Sequence, residues 1–144
     1  MNRGDPEQEL RDLVAERVAS VRAKDTAPLV ARQADDVVAF DVVPPLRSRG
    51  NEAVAARIQE WFDSYASDID YEVRDLAVAA DGDVGFCSFV YHVDGTLASG
   101  GDVDMWVRAT LCCRRIGGEW RIVHDHESVP FDPTTGHALI NLEP

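Results

Sequence analysis

The sequence lacks several features that assign proteins to specialised classes. It has no apolar run of about 18 residues, so nothing in it predicts a helix that spans a bilayer. Its first residues, MNRGDPEQELRD, are too polar for a secretion signal. The three cysteines are an odd number without paired spacing, and two of them, Cys112 and Cys113, are adjacent. We therefore expect reduced thiols and a cytoplasmic protein without a membrane partner.

Positive charge is also scarce. Lysine and arginine number 14 against 26 aspartates and glutamates, which gives a formal charge of -12 and a pI near 4.6. A surface this acidic repels a phosphate backbone, so we expect no nucleic acid as a partner. With 144 residues and 45% hydrophobic content, the chain is long enough to bury a core. We predict that residues 1–144 form a single domain.

Helical periodicity dominates the first half of the chain. Asp5 can cap a helix in which Pro6 takes the first position, and apolar residues then recur three and four apart. Val42-Val43-Pro44-Pro45 is extended and ends the strand that precedes it. The predicted elements here are helix Pro6–Lys24, a short helix from Asp25 or Thr26 to Gln33, strand Val37–Phe40, and a third helix that opens at Gly50-Asn51 and carries Val54, Ile58, Trp61, Phe62 and Tyr65.

From Ile69 onwards the apolar period becomes two, which is typical of strands. Glycine-containing turns separate four predicted strands, which are Ile69–Ala79, Val84–Val93, Val103–Ile116 and Trp120–Ser128. Helices followed by a meander of long strands predict an α+β fold, with the helices packed on one face of a curled sheet. A cone of this kind commonly holds a cavity for a small, largely apolar ligand. The tail after Phe131 is expected to be irregular.

The segment from Trp120 to Pro130, WRIVHDHESVP, alternates strictly between two faces. One face would carry Trp120, Ile122, His124 and His126. Because tryptophan and isoleucine indicate an inward face, we predict that both histidines point into the interior. Two histidines near a carboxylate can move protons at neutral pH.

The same His-x-His spacing also begins metal sites, for which Asp41 or His92 could supply a third ligand. No further histidine cluster and no Cys-x-x-Cys supports that interpretation, so we expect no metal. The glycine pairs lie in turns without the strand–glycine–helix order of a phosphate loop. We expect no nicotinamide, flavin or other cofactor.

Several blocks together resemble the nuclear transport factor 2-like superfamily, in particular its SnoaL-like and ketosteroid isomerase-like groups. They are the helical start, the acidic turn ADDVVAFD at 34–41, the helix start at Gly50, and the final block ATLCCRRIGGEWRIVHDHESVPFDP. The resemblance covers 7–144 and implies a cone-shaped fold, with three N-terminal helices packed on a curved, mostly antiparallel sheet. The superfamily contains isomerases, cyclases, dehydratases, epoxide hydrolases and inactive members, so the fold alone assigns no chemistry.

The resemblance also suggests individual roles. Ketosteroid isomerase uses an aspartate base just before a proline-containing loop, and Asp41 stands at that place. Its two oxyanion donors, a tyrosine and an aspartic acid, correspond here to Arg17 or Val18 and to Cys112. Both donors are therefore missing, and ketosteroid isomerisation by that route is not expected. The Asp-Arg-Asp set of the epoxide hydrolases finds no placement in the sequence.

The strand Val103–Ile116 has two interpretations. By alternation, the face of Val107 and Leu111 is core, and the face of Trp106, Arg108 and Cys112 is solvent-exposed. The resemblance implies the reverse, with the mixed face in the cone and the apolar face against a second subunit. On that basis we expect a homodimer through the outer sheet face. Arg108 would then be buried beside Asp41 or a ligand anion.

The function expected from the sequence is an internal pocket for a small, mostly apolar metabolite, with cofactor-independent proton-transfer chemistry of the isomerase, cyclase or dehydratase type. The alternative is a non-catalytic dimeric ligand-binding or accessory module of the same fold. The catalytic candidates are Asp41, His124 and His126. The ligand-binding candidates are Trp61, Tyr65, Phe89, Tyr91, Trp106, Arg108 and Cys112.

Overall fold

Three helices and a six-stranded sheet make up the computed structural model, which describes residues 4–144. The elements are α1 (Pro6–Arg22), α2 (Thr26–Ala31), β1 (Gln33–Phe40), β2 (Ser48–Arg49), α3 (Asn51–Asp63), β3 (Asp70–Asp81), β4 (Val84–Thr96), β5 (Asp102–Ile116) and β6 (Glu119–Ser128). The helices pack on one face of an open sheet, so the predicted α+β cone is confirmed. The predicted domain begins at residue 1, and its polar N-terminal segment includes residues 1–3, which lie outside the described residues.

The first helix forms for the reasons that the sequence indicates. The Asp5 carboxylate accepts a hydrogen bond from the backbone N–H of Glu7 at 3.0 Å, and Pro6 follows as the first helical residue. The helix ends two residues earlier than predicted, since Lys24 adopts a positive φ of 52° that no helix continues. Its buried stripe, which packs on β3, consists of Leu10, Leu13, Val14 and Val21.

The sheet has the order β2-β1-β6-β5-β4-β3, and only the β1–β6 pair is parallel among the described strands. The strand β1 starts earlier than predicted, because Gln33 already pairs with Ile122. The short β2 was not predicted. The core lies between the sheet and the helices, and its largest fully buried side chains include Leu10, Leu13, Val37, Phe62, Ile69, Tyr71, Leu111 and Ile122. No helix within 4–144 is long and apolar enough to cross a membrane.

A β-bulge in β6 changes the face that the second half of this strand presents to the core. Ile122 pairs with Cys113, but the next pair is His124 with Cys112, so Val123 is an extra residue on β6. Beyond the bulge Asp125 is buried, whereas His126 is exposed. The prediction that His124 and His126 point inward is therefore wrong, because the extra residue reverses the alternation.

The strand β5 follows its own alternation and not the arrangement that the resemblance implied. Val107 and Leu111 are buried, while Arg108 is exposed and its Nε donates to Ser128 Oγ at 3.2 Å. Trp106, Arg108 and Cys112 thus lie on the outer face of the sheet, and placing them inside the cone was wrong. The apolar face that suggested a dimer is in fact the core. The homodimer itself stays a prediction.

The close approach of β4 to α1 provides a test of this packing. A Cβ at Gly85 would lie 2.8 Å from Ala79 O and 2.8 Å from Leu10 Cδ1. We expect Gly85→Ala to lower the free energy of unfolding by about 1–3 kcal/mol in urea denaturation. In the control Gly101→Ala, the nearest contact of the new Cβ is Leu97 Cδ1 at 3.8 Å, so its stability should stay near that of the wild type. Equal stability of the two variants would contradict this account.

Candidate functional site

A cavity of about 430 Å³ lies between the helices and the inner face of the sheet. This volume falls within the range of small-molecule sites. Most of its wall is apolar and includes Val54, Ile58, Trp61, Val93, Met105 and Val107. Polar side chains are concentrated at two places, around Arg17 and around Asp41. The cavity therefore suits a mainly apolar molecule with one or two polar groups.

Arg17 is the centre of the first polar group. It lies on α1 between the buried residues Val14 and Val21, and its own side chain is only 12% exposed. Its Nη2 is 2.9 Å from Asp125 Oδ2 and 3.8 Å from Glu127 Oε2. Burial lowers the pKa of Arg17, but the Asp125 carboxylate raises it, and the net shift is upward. One permanent cation is thus held between two carboxyl groups of β6.

Glu127 is the most strongly perturbed acid of the site. Burial raises its pKa, and the charge of Asp125 raises it further. The cation of Arg17 and a hydrogen bond from Tyr91 act in the opposite direction, and the resulting pKa is about 8. The Tyr91 hydroxyl donates to Glu127 Oε1 at 2.5 Å. Glu127 is therefore mainly a neutral carboxylic acid at pH 7 and can donate a proton.

Two tyrosines, on β3 and β4, form a stacked pair on the inner face of the sheet near this acid. The rings of Tyr71 and Tyr91 are stacked, with centroids 4.6 Å apart. Burial raises the pKa of both phenols, so both keep their protons at neutral pH. Tyr91 consequently acts as a hydrogen-bond donor and fixes the orientation of the Glu127 carboxyl group.

Asp41 forms the second polar place, at the mouth of the cavity. Phe40 pairs with His126 in the parallel ladder, so Asp41 follows at the level of Glu127. Its Oδ1 accepts a hydrogen bond from the N–H of Val42 at 2.6 Å. The residue as a whole is exposed, but its carboxyl group is partly desolvated, and this desolvation raises the pKa of Asp41. The hydrogen bond from the Val42 N–H lowers the pKa and so opposes part of the shift.

The loop that follows Asp41 is attached to the third helix. The guanidinium of Arg57 donates a hydrogen bond from Nη2 to the carbonyl of Pro44, and its Nη1 lies 3.4 Å from Glu60 Oε2. Arg57 and Glu60 both line the cavity near its mouth. This second cation is therefore already engaged by the loop and by its own helix.

The structure separates the sequence candidates into three groups. Asp41, Trp61, Tyr65 and Tyr91 line the cavity. Phe89 is buried in the core but does not line the cavity. The outer-face group consists of Trp106, Arg108, Cys112, His124 and His126.

The two histidines have ordinary local contacts. His124 Nδ1 donates a hydrogen bond to the carbonyl of Val38 at 2.8 Å. The ring of Phe40 packs edge-on against both histidines, with centroids 4.6 Å and 5.3 Å away. Within residues 4–144, no three histidine, cysteine, aspartate or glutamate side chains lie close enough together to hold a metal ion.

Arg17, Asp125 and Glu127 are not among the site residues that the sequence predicts. A signal for Arg17 was present, because it falls at helical spacing between Val14 and Val21 and so interrupts the apolar stripe of α1. A charge on such a stripe needs a buried partner. For the two carboxyl groups the alternation of β6 indicated the opposite face, since it gave no sign of the bulge.

The fold and this interior site define the chain as a protein of the nuclear transport factor 2-like superfamily, as predicted. Residues 10–132 match the model of the SnoaL-like domain, so the chain belongs to the SnoaL-like domain family. No relative was found among curated proteins.

Solved structures agree with this membership. An NTF2-like protein of unknown function from Pseudomonas putida KT2440 is 32% identical, with 96% of each chain covered and a TM-score of 0.88. A ketosteroid isomerase-like protein from Erwinia carotovora atroseptica is 16% identical over 88% of this chain and 97% of that chain, with a TM-score of 0.74. An NTF2 superfamily protein from Salmonella enterica is 18% identical over 92% and 96%, with a TM-score of 0.77. The last two similarities establish the fold alone.

The raised pKa of Glu127 predicts a pH-dependent stability. Its ordinary value of 4.5 applies to the unfolded chain and about 8 to the folded one, so the folded state binds more protons between them. The stabilisation that comes from protonated Glu127 is complete below about pH 4.5, and the free energy of unfolding declines as the pH rises from there to about 8. Glu127→Gln, which cannot ionise, should remove roughly 2–5 kcal/mol of this decline in urea denaturation at different pH values.

The matched control for this experiment is Glu119→Gln, at the exposed start of the same strand, where the glutamate side chain is 67% exposed. It should keep the wild-type decline. A Glu127→Gln variant whose stability falls as steeply as that of the wild type would contradict the assignment.

Proposed function

We propose that the chain binds a small, mostly apolar metabolite in this cavity and catalyses cofactor-independent proton transfer on it, of the isomerase, cyclase or dehydratase type. The observation that carries the proposal is the pair of Asp41 and Glu127. Both carboxyl groups line one apolar cavity, and their surroundings differ. Pairs of acids in unequal environments are what enzymes use to assign a base and an acid.

The proposed roles follow from these environments. Asp41, in its ionised form at the mouth, accepts a proton from a carbon atom next to a carbonyl group. Glu127 donates its proton to the carbonyl oxygen, so that the electrons of the broken C–H bond end in an enol. In a substrate whose enol is conjugated with a further C=C bond, reprotonation by Asp41 at the far carbon of that bond, with return of the oxygen proton to Glu127, completes an isomerisation without net consumption of protons. Arg17 stabilises the carboxylate that Glu127 becomes when it gives up its proton.

These roles replace part of the sequence-based hypothesis. The acid is now Glu127 and not His124 or His126, because neither histidine lines the cavity. The electrostatic stabiliser is Arg17 and not Arg108, which is exposed on the outer face. Asp41 remains the proposed base.

The alternative is a non-catalytic dimeric ligand-binding or accessory module. The hydrogen bond from Val42 to Asp41 favours it, since a carboxylate that caps its own loop has a sufficient structural role. A dimer would use the outer sheet face, which exposes Phe86 and carries Trp106. We also propose a cytoplasmic location, supported by the three free cysteines.

Proton exchange on a simple ketone tests the catalytic proposal. The enzyme should accelerate exchange of the C1 protons of 2-tetralone in D₂O, followed by proton NMR. Asp41→Asn should reduce the enzymatic rate by about 100-fold or more, since it removes the base. Its thermal midpoint should stay unchanged or rise, because a partly desolvated charge is lost.

The control is Asp36→Asn, an equal change of charge at an exposed position of β1. It should leave the exchange rate unchanged. A wild-type rate equal to that of buffer would favour the binding module. A lower thermal midpoint in Asp41→Asn with unchanged exchange would identify Asp41 as structural.

A further inference from the structure

A buried arginine in an apolar cavity would ordinarily suggest a carboxylate ligand, because guanidinium and carboxylate groups match in shape and charge. Arg17 is differently placed. Its Nη2 already contacts Asp125 Oδ2 at 2.9 Å and lies 3.8 Å from Glu127 Oε2. A ligand anion would therefore compete with two carboxyl groups for one cation.

Asp125, the carboxylate that is paired with Arg17, does not have a hydrogen-bond donor for each of its two oxygens within residues 4–144. Its side chain lines the cavity and is only 8% exposed, yet its second oxygen, Oδ1, has no hydrogen-bond partner among the described residues. Arg17 Nε is likewise buried without a hydrogen-bond partner in the described part of the chain, so each member of the ion pair keeps one unpaired polar atom. Because Arg17 and Asp125 already balance each other and Glu127 is neutral, a further negative group here would lack a counter-charge.

For a neutral ligand, in contrast, Glu127 provides a hydrogen-bond donor. Tyr91 already donates to its Oε1, so the proton of the acid belongs on Oε2, the oxygen that remains for a ligand. From there the acid can donate a hydrogen bond to a ketone oxygen. The groups that act on Glu127 are Arg17 from α1, Tyr91 from β4, Asp125 from β6 and Asp41 after β1.

We infer that the cavity selects electrically neutral ligands with a hydrogen-bond acceptor, such as ketones, and rejects carboxylates of the same shape. This inference rests on the ligand-binding part of the proposed function and does not depend on catalysis. At the mouth the other cation that lines the cavity, Arg57, already contacts Pro44 and Glu60, so an anion there would compete with these contacts.

Three naphthalenes of matched size test the inference by isothermal titration calorimetry at neutral pH. They are 2-acetylnaphthalene, 2-naphthoate and 2-isopropylnaphthalene, which share the ring and the number of non-hydrogen atoms. We expect the ketone to bind at least about tenfold more tightly than the carboxylate, and more tightly than the hydrocarbon. Tightest binding of 2-naphthoate would overturn the inference, and so would equal binding of ketone and hydrocarbon.

Two variants make the electrostatic cause testable. Asp125→Asn releases Arg17 from its partner and should shift the ketone-to-carboxylate preference by about tenfold or more towards 2-naphthoate. Glu127→Gln should keep the wild-type preference, because the glutamine amide still donates and carries no charge. A preference that Asp125→Asn leaves unchanged, or that Glu127→Gln reverses, would contradict the role of the cluster.

The outcomes separate this inference from the proposed function. Selective ketone binding without exchange of 2-tetralone protons would leave the inference standing and remove the catalysis. Exchange together with a preference for the carboxylate would remove only the inference. If none of the three probes binds, the cavity is not a ligand site and both proposals fail.

Discussion

The ion pair between Arg17 and Asp125 is the interaction on which the interior depends. It joins the first helix to the last strand across 108 residues of sequence. A guanidinium on the apolar stripe of α1 is tolerated only with a carboxylate opposite it, because an uncompensated buried charge costs several kcal/mol. The bulge at Val123 turns Asp125 and Glu127 towards that charge. The first helix, the bulge in β6 and the polar end of the cavity are therefore parts of one arrangement.

This arrangement also explains why the family alone does not define the chemistry. The superfamily cone provides an apolar wall, and the chemistry depends on the few polar side chains at its end. Here these are one cation, two carboxyl groups on β6 and a tyrosine that orients one of them. The burial that makes the ion pair costly is the same burial that raises the pKa of Glu127, so the stability of the fold and the protonation of this acid have a common origin.

Much of the fold could be predicted, because its signals are local. The Asp5 cap, the helical stripe of α1 and the alternation of β5 each involve neighbouring residues, and each agrees with the structure. The position of Asp41 beside the cavity came from the resemblance. The inner residues of β6 could not be predicted in this way. A bulge inserts one residue, and the alternation of WRIVHDHE contains no mark of it.

The bulge has a consequence for comparisons among relatives. In a homologue whose strand has no bulge, the same two carboxyl groups face the interior only if one residue fewer separates the positions of Ile122 and Asp125. Aligned without a gap at Val123, the inward residues of one protein would stand opposite the outward residues of the other. Residue roles along this strand can therefore be transferred between sequences only when that single-residue gap is placed correctly, however high the identity around it.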